Sequence, residues 1–221
     1  MDAIEISAAN LTELQFFIGL AGTVAFSVSA VLSVVRDRAD VTAAILVGVI
    51  TAIGGGTIRD ITLGVPVFWA QDMSYIWTAI AASLITFLAY PLMARRYLNM
   101  VFLFFDALAT AMFAIVAVEK VWDLNFGLPV APVLLGVLTA YGGGILRDTM
   151  LNRETVIMSR ELNVLPVSLG CIAMVLVLEF APEYRALGAV ACILFVFGLR
   201  SAAIYWKLRL PEWAMMGGRM K

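Results

Sequence analysis

Histidine is absent from the 221 residues, and only 14% of them are charged. Without imidazole there is no His-based acid–base catalysis, no His-ligated metal site and no His pH switch. Cysteine occurs only twice, and Cys171 and Cys192 both sit inside apolar runs. That placement reads as small core residues and gives no metal-ligand spacing. The formal net charge is −1, so no basic field points to nucleic acid. What fills the chain instead is apolar: 62% of its residues are hydrophobic, and the mean hydropathy is +0.97. Soluble domains are roughly 45–50% apolar and about 25% charged. A soluble fold of this size must leave a shell for water to wet, so this composition excludes one and makes the bilayer the solvent.

A membrane-spanning helix needs about 20 mostly apolar residues. Seven segments qualify: Leu14–Val35, Val41–Ile58, Ser74–Ala94, Tyr97–Val118, Phe126–Leu146, Leu162–Phe180 and Ala186–Trp206. The sixth is the weakest, being short and closed by Glu179. The runs are continuous, whereas barrel strands alternate over about 10 residues, so the expected fold is an all-α integral membrane protein. Asp2, Glu5 and Glu13 precede the first span where a leader would carry basic residues, which reads as a retained helix. Arg36, Arg38, Arg95, Arg96, Arg147, Arg153, Arg160, Lys207, Arg209, Arg219 and Lys221 fall on one side of this topology. Arg59, Lys120 and Arg185 fall on the other. The bias predicts an N-terminus outside and a C-terminus inside. Trp206 and Trp213 beside the terminal basic cluster read as an interfacial anchor that can also meet anionic lipid.

The most specific pattern is a repeated heptad. Gly54-Gly55-Gly56-Thr57-Ile58-Arg59-Asp60 recurs 88 positions on as Gly142-Gly143-Gly144-Ile145-Leu146-Arg147-Asp148. Upstream, Gly48-Val49-x-Thr51-Ala52 matches Gly136-Val137-x-Thr139-Ala140. One residue of slippage brings Ala21-Gly22-Thr23-x-x-Phe26 onto Leu108-Ala109-Thr110-x-x-Phe113. The chain thus reads as a single transmembrane domain: repeat 1 over about 14–94, repeat 2 over about 97–180, and a seventh helix over about 186–206. Three spans per copy force the copies to cross the membrane in opposite directions. Inverted repeats are a recurring plan of transport proteins, with the permeant site near the midplane.

Three consecutive glycines cost roughly 1 kcal/mol each relative to alanine in a helix, so spans two and five are expected to kink or break there. Freed backbone is tolerated at membrane depth only when it is buried in protein or lines a wet cavity. Carbonyls at Gly54–Gly56 and Gly142–Gly144 are therefore candidates to coordinate a cation. Thr51, Thr57, Thr139 and Tyr141 would add hydroxyl oxygens nearby. The competing reading is that the glycines only let helices pack closely. Neighbours at i and i+1 of a helix do not face each other, so the Arg-Asp dipeptides suggest crossed pairs, Arg59 with Asp148 and Arg147 with Asp60. Alternatively both pairs sit at helix ends and snorkel to the interface. Asp106 and Arg200 also lie within spans, and pairing between them is expected.

Duplicated Gly-Gly-Gly-x-x-Arg-Asp motifs in spans two and five of a seven-span, 3+3+1 chain resemble the prokaryotic trimeric intracellular cation (TRIC) channel family. Bacterial members of that family have also been classed as glycine transporters. The resemblance runs from about Leu14 to Pro211. It implies a homotrimer with one pore per protomer around the kinked second and fifth spans, permeable to monovalent cations and chiefly potassium. It places Arg59, Asp60, Arg147 and Asp148 at or near the pathway. Animal members share a Lys-Glu-Val stretch, whereas this chain has Glu119-Lys120-Val121, and that stretch's role is not carried over. The functional expectation is a passive cation channel of a bacterial inner membrane. It has no cofactor or metal; K⁺ or Na⁺ would be the permeant and lipid the surroundings. The alternative is a small-amino-acid transporter, glycine foremost, using the same midplane site. An enzyme finds no HExxH, no GxSxG and no cluster of catalytic acids to support it.

Overall fold

The computed structural model describes residues 3–35, 39–92, 95–155 and 163–206, with side chains from residue 13 onward apart from Arg95 and Arg96. Asp2, Arg36, Arg38, Arg160, Leu162, Lys207, Arg209, Trp213, Arg219 and Lys221 lie outside the described residues, as do the side chains of Glu5, Arg95 and Arg96. Eight helices follow one another: α1 (Ala3–Val34), α2 (Val41–Leu63), α3 (Phe68–Gln71), α4 (Ser74–Ala89), α5 (Arg95–Asp123), α6 (Val130–Met150), α7 (Val164–Phe180) and α8 (Arg185–Tyr205). Among the described residues six helical segments are long and apolar enough to cross a membrane, and α7 is a shorter apolar helix of 17 residues. The seven expected spans are thus present. α3 is a one-turn helix between the second and third that hydropathy did not reveal.

Local chemistry sets the helix boundaries. The Asp40 carboxylate accepts from the backbone N–H of Ala43 at 2.7 Å and starts α2. α2 stops at Gly64, whose φ of 68° is the left-handed conformation that ends helices most easily without a Cβ. Asn152, at the matching position of repeat 2, has φ 50°. The closing hydrogen bonds also match: Gly64 N–H to Ile61 O and Val65 N–H to Asp60 O, then Asn152 N–H to Thr149 O and Arg153 N–H to Asp148 O. The repeat therefore extends beyond its glycines and charges to the way each central helix ends. Within the described α-helices proline falls only in opening turns, Pro132 in α6 and Pro166 in α7, where no helical hydrogen bond is lost.

Within repeat 1, α1 packs on α2 and α4; within repeat 2, α5 packs on α6 and α7. The repeats join through α1 against α5 and α2 against α6, while α8 lies on α5 and α7. Met174, Cys171, Val167 and Val196 form the heart of the α5–α8 core, so both cysteines are small buried packers. A second core around Phe26 and Phe113 sits where the repeats meet.

Of the kink or break expected at Gly54–Gly56 and Gly142–Gly144, the break does not occur. Both α2 and α6 keep helical hydrogen bonding through them. Three glycines forfeit about 3 kcal/mol of propensity. Each backbone group left unpaired in hydrocarbon costs several kcal/mol, so the helix survives.

A charged crossing of two antiparallel helices

The crossing of α2 and α6 organises the site. A Cβ built on Gly55 would meet the Thr139 carbonyl oxygen at 2.0 Å, and one on Gly143 would meet that of Thr51 at 2.0 Å. Only glycine allows backbones this close. Gly54 faces Leu146 while Gly142 faces Ile58, so positions rising along α2 meet positions falling along α6. The two helices are antiparallel, and the triplets meet as the symmetry of the repeat demands. Packing, not carbonyl release, is what the glycines contribute here.

Antiparallel crossing also overturns the crossed pairs Arg59–Asp148 and Arg147–Asp60. Arg59 lies one turn past the crossing in one direction and Arg147 one turn past it in the other. Along the axis, Arg59 and Asp148 are separated by about seven to ten residues, or roughly 10–15 Å. Each arginine instead folds back on its own neighbour. Arg59 Nε donates to Asp60 Oδ1 at 2.8 Å, and Arg147 Nε donates to Asp148 Oδ1 at 2.8 Å. The rule that i and i+1 point apart describes Cβ directions, and a guanidinium stem is long enough to turn around it. The snorkelling alternative does not hold either, because Arg59, Asp60, Arg147 and Asp148 are all buried within α2 and α6.

Two charge clusters result, one at each end of the crossing. At the α3 end, Asp60 is fully enclosed; its Oδ1 also takes Arg59 Nη2 and Lys120 Nζ, each at 2.8 Å. Its Oδ2 accepts the backbone N–H of Phe68 at 2.9 Å, which fixes the start of α3. The Arg59 guanidinium stands over the Phe68 ring, 5.8 Å from its centroid. At the opposite end, Arg147 Nη1 donates to Asp106 Oδ1 at 2.9 Å and its guanidinium lies 5.1 Å from the Phe102 ring centroid. Asp106 and Arg200 do meet, Nη2 to Oδ2 at 3.2 Å, with Nη1 also reaching the Asp106 carbonyl at 3.3 Å. Arg200 further lies 5.7 Å from the Tyr141 ring centroid.

The hydroxyls expected to coordinate a permeant donate their hydrogens within the protein. Thr51 and Thr139 donate back to Val47 and Leu135 carbonyls at 2.6 Å. Thr57 donates to Ile53 and accepts Trp69 Nε1 at 2.9 Å, tying α3 to α2. Tyr141 donates to the Asn163 carbonyl at 2.5 Å.

Three cavities adjoin these groups. One of about 570 Å³ opens at the α3 end, lined among others by Arg59, Lys120, Tyr75 and Phe113. One of about 10 Å³, the size of a single water, is lined by Phe26, Asp106, Thr110, Tyr141, Gly144 and Arg147. A third, of about 340 Å³, is lined by Ser33, Phe102 and Arg153 at the opposite end. Phe113 and Phe26 stack at 5.3 Å between the first two, and the Arg147–Phe102 contact lies between the second and third.

Phe68, Trp69 and Phe102 are parts of this site that the motifs did not name, while Phe113 entered only as a match between the repeats and Lys120 only as a charge of one flank. The pairing partner of Lys120 lies 60 positions away, so only a buried Asp60 in want of a second cation could have pointed to it. Nearby, Arg185 bridges Glu119 at 2.8 Å and grips Asp123 with both nitrogens at 2.7 Å, fastening α8 to α5.

Fold and site together define a multi-pass helical membrane protein of the inverted-repeat type, three helices plus three plus one. A family model described as Glycine transporter matches twice, over residues 16–91 and 103–179, once in each repeat. The chain belongs to that family, the TRIC family its motifs resemble. A UPF0126 membrane protein of Vibrio cholerae is 32% identical over 96% of this chain and 88% of its own length. The UPF0126 inner membrane protein YadS of Escherichia coli is 31% identical over 91% of this chain and 97% of its own. Among solved structures, the TRIC trimeric intracellular cation channel orthologue from Rhodobacter sphaeroides superposes with a TM-score of 0.81 at 32% identity. That match covers 88% of this chain and 98% of the orthologue. A prokaryotic TRIC channel determined in 0.5 M KCl shares the fold, with a TM-score of 0.82 at 22% identity over 90% of this chain and all of its own.

Proposed function

We propose that the protein is a passive cation channel of a bacterial inner membrane, conducting K⁺ through each protomer of a homotrimer with its N-terminus outside and its C-terminus in the cytoplasm. The observation that supports this reading is the succession of three cavities about the α2–α6 crossing, with the Phe113–Phe26 stack and the Arg147–Phe102 contact between them. A cation following it passes Asp60 at one end and Asp106 and Asp148 at the other. Arg59, Lys120, Arg147 and Arg200 temper those carboxylates, and the chain has no TVGYG filter. Weak discrimination between K⁺ and Na⁺ follows. The description of the Rhodobacter sphaeroides relative as a cation channel supports the same reading.

The family model's description favours a second reading, a glycine transporter. Purified protein in planar bilayers bathed in KCl separates the two. Unitary K⁺ currents support the channel. Silent bilayers together with saturable glycine uptake into liposomes overturn it in favour of the transporter.

A further inference from the structure

The two charge clusters are related by the repeat, yet their charges do not balance alike. At the opposite end from α3, Arg147 and Arg200 face Asp106 and Asp148, two cations against two carboxylates. At the α3 end, Arg59 and Lys120 share the single carboxylate of Asp60. Asp60 has no capacity left, since Oδ1 takes three donors and Oδ2 a fourth. In direct contact, then, two cations face one carboxylate in a half-buried wall, and the other carboxylates of the lining, Asp72 and Asp123, make no ion pair with them among the described residues.

The repeat shows which group is missing. The register that places Phe26 on Phe113 and Thr23 on Thr110 places Gly19 on Asp106. Gly19 lines the 570 Å³ cavity, beside Arg59 and Lys120. Where one repeat has a carboxylate beside a water-sized hole, the other has a glycine, a large cavity and two cations on one carboxylate. The Tyr75 hydroxyl, a donor, sits 2.8 Å from where a Gly19 Cβ would stand. Gln15, in the same register as Phe102, adds an amide to the lining.

We propose that this cavity binds a small carboxylate, seated against Lys120 and Arg59 in the place that Asp106 fills in the other repeat. No carboxylate of the lining takes that role: Asp123 is gripped by Arg185, and Asp72 accepts the Ser74 backbone N–H at 2.8 Å at the mouth. Asp72 and Asp123, both lining residues, disfavour polyanions and leave room for an ammonium group. The carboxylate therefore comes either from a simple acid or from a zwitterionic amino acid. The site does not depend on whether the cavities conduct.

Binding is read directly by saturation-transfer NMR on the full chain in lipid nanodiscs, with acetate, glycine, inorganic phosphate and methylammonium as probes. Acetate and glycine are expected to bind saturably, phosphate at least tenfold more weakly, and methylammonium not at all. Glycine binding without acetate assigns the carboxylate to an amino acid; binding of both assigns it to small acids at large. Lys120→Met should weaken acetate and glycine at least tenfold in protein that still melts cooperatively. As a second variant, Gly19→Asp combined with Tyr75→Phe supplies the carboxylate internally and should abolish binding of both. Binding of neither carboxylate, tighter binding of phosphate or methylammonium, or full binding by either variant overturns the proposal.

Discussion

Gly143→Ala and Gly144→Ala are adjacent, chemically identical substitutions for which the structure expects opposite results. A Cβ at position 143 would lie 2.0 Å from the Thr51 carbonyl oxygen and 3.1 Å from its carbon, both backbone atoms. An ordinary C···O approach is about 3.3–3.6 Å. Helices α2 and α6 would have to part by roughly 1.3 Å or more, and overpacking of this kind costs about 1–3 kcal/mol. A Cβ at position 144 meets nothing nearer than Arg147 Nη2 at 3.7 Å, which is ordinary contact. Both alanines gain about 1 kcal/mol of helix propensity, so that contribution cancels between them. The difference left is the overpacking cost alone, about 1–3 kcal/mol. At roughly 2–4 °C per kcal/mol for a chain of this length, Gly143→Ala should melt about 2–12 °C below Gly144→Ala. Gly144→Ala itself should melt at or above the parent protein. Intrinsic-fluorescence melting of purified protein in one detergent measures all three. Gly55→Ala, whose Cβ would lie 2.0 Å from the Thr139 oxygen, should fall with Gly143→Ala. Equal melting temperatures for Gly143→Ala and Gly144→Ala would refute the backbone-to-backbone crossing.

Three further perturbations probe other parts of the assembly. Asp106→Asn strips the buried Arg147 and Arg200 of a shared counter-charge and should cost about 3–5 kcal/mol, while adding Arg200→Met should recover part of it. Strict additivity in that double-mutant cycle would contradict the coupling. Phe26→Ala removes one ring of the Phe26–Phe113 stack; it should lower stability by about 3–5 kcal/mol and raise K⁺ flux in liposomes, and unchanged flux would show the rings are not the barrier. Outside the membrane, hydrogen bonds from Ser74 hold the Asp72 carboxyl below its ordinary value. With the folded value depressed, this anchoring at the start of α4 is fully present above the ordinary carboxylate range and is lost as pH falls through the lowered one. Amide exchange at Ser74 and Tyr75 should therefore quicken in acid, and Asp72→Asn should remove that pH dependence.

Hydrophobic run length and the duplicated heptad made the spans and their inversion legible, because both are one-dimensional signals. The Asp106–Arg200 contact was legible for a related reason: when charges inside spans are few, each has few partners to choose from. Hydropathy misjudged the ends of α2 and α6, which run on to Leu63 and Met150 and so bury the Arg-Asp dipeptides in their last two turns. A window average lowers its score at Arg59-Asp60 whether the charges face water or one another. Crossed pairing failed because sequence symmetry says which residues correspond, not which meet; in an antiparallel pair, equivalent positions meet only at the axis itself, as Gly55 and Gly143 do. The hydroxyl donors of Thr51 and Thr139 were not legible, since each goes to the i−4 carbonyl of its own turn, a partner that every helical threonine has.

Symmetry in this fold therefore has a definite reach. It holds where geometry demands it: at the backbone contact of the two triplets, in the stacking of Phe26 on Phe113, and in the left-handed residues that end α2 and α6. It lapses where charge is concerned. Arg200 comes from α8, which has no counterpart in repeat 1, and Lys120 has no charged counterpart near Leu32 and Ser33 of α1. A strictly symmetric chain would have presented the same field to both faces of the membrane. This one closes its charges off around a water-sized hole at one end and opens a cavity lined by Arg59, Lys120, Asp72 and Asp123 at the other. A cation approaching from the two sides meets different wells, so the duplication that built the crossing did not by itself set the electrostatics of the path. Gly19, α8 and Lys120 did, and they are where relatives with the same glycines can differ in how they conduct.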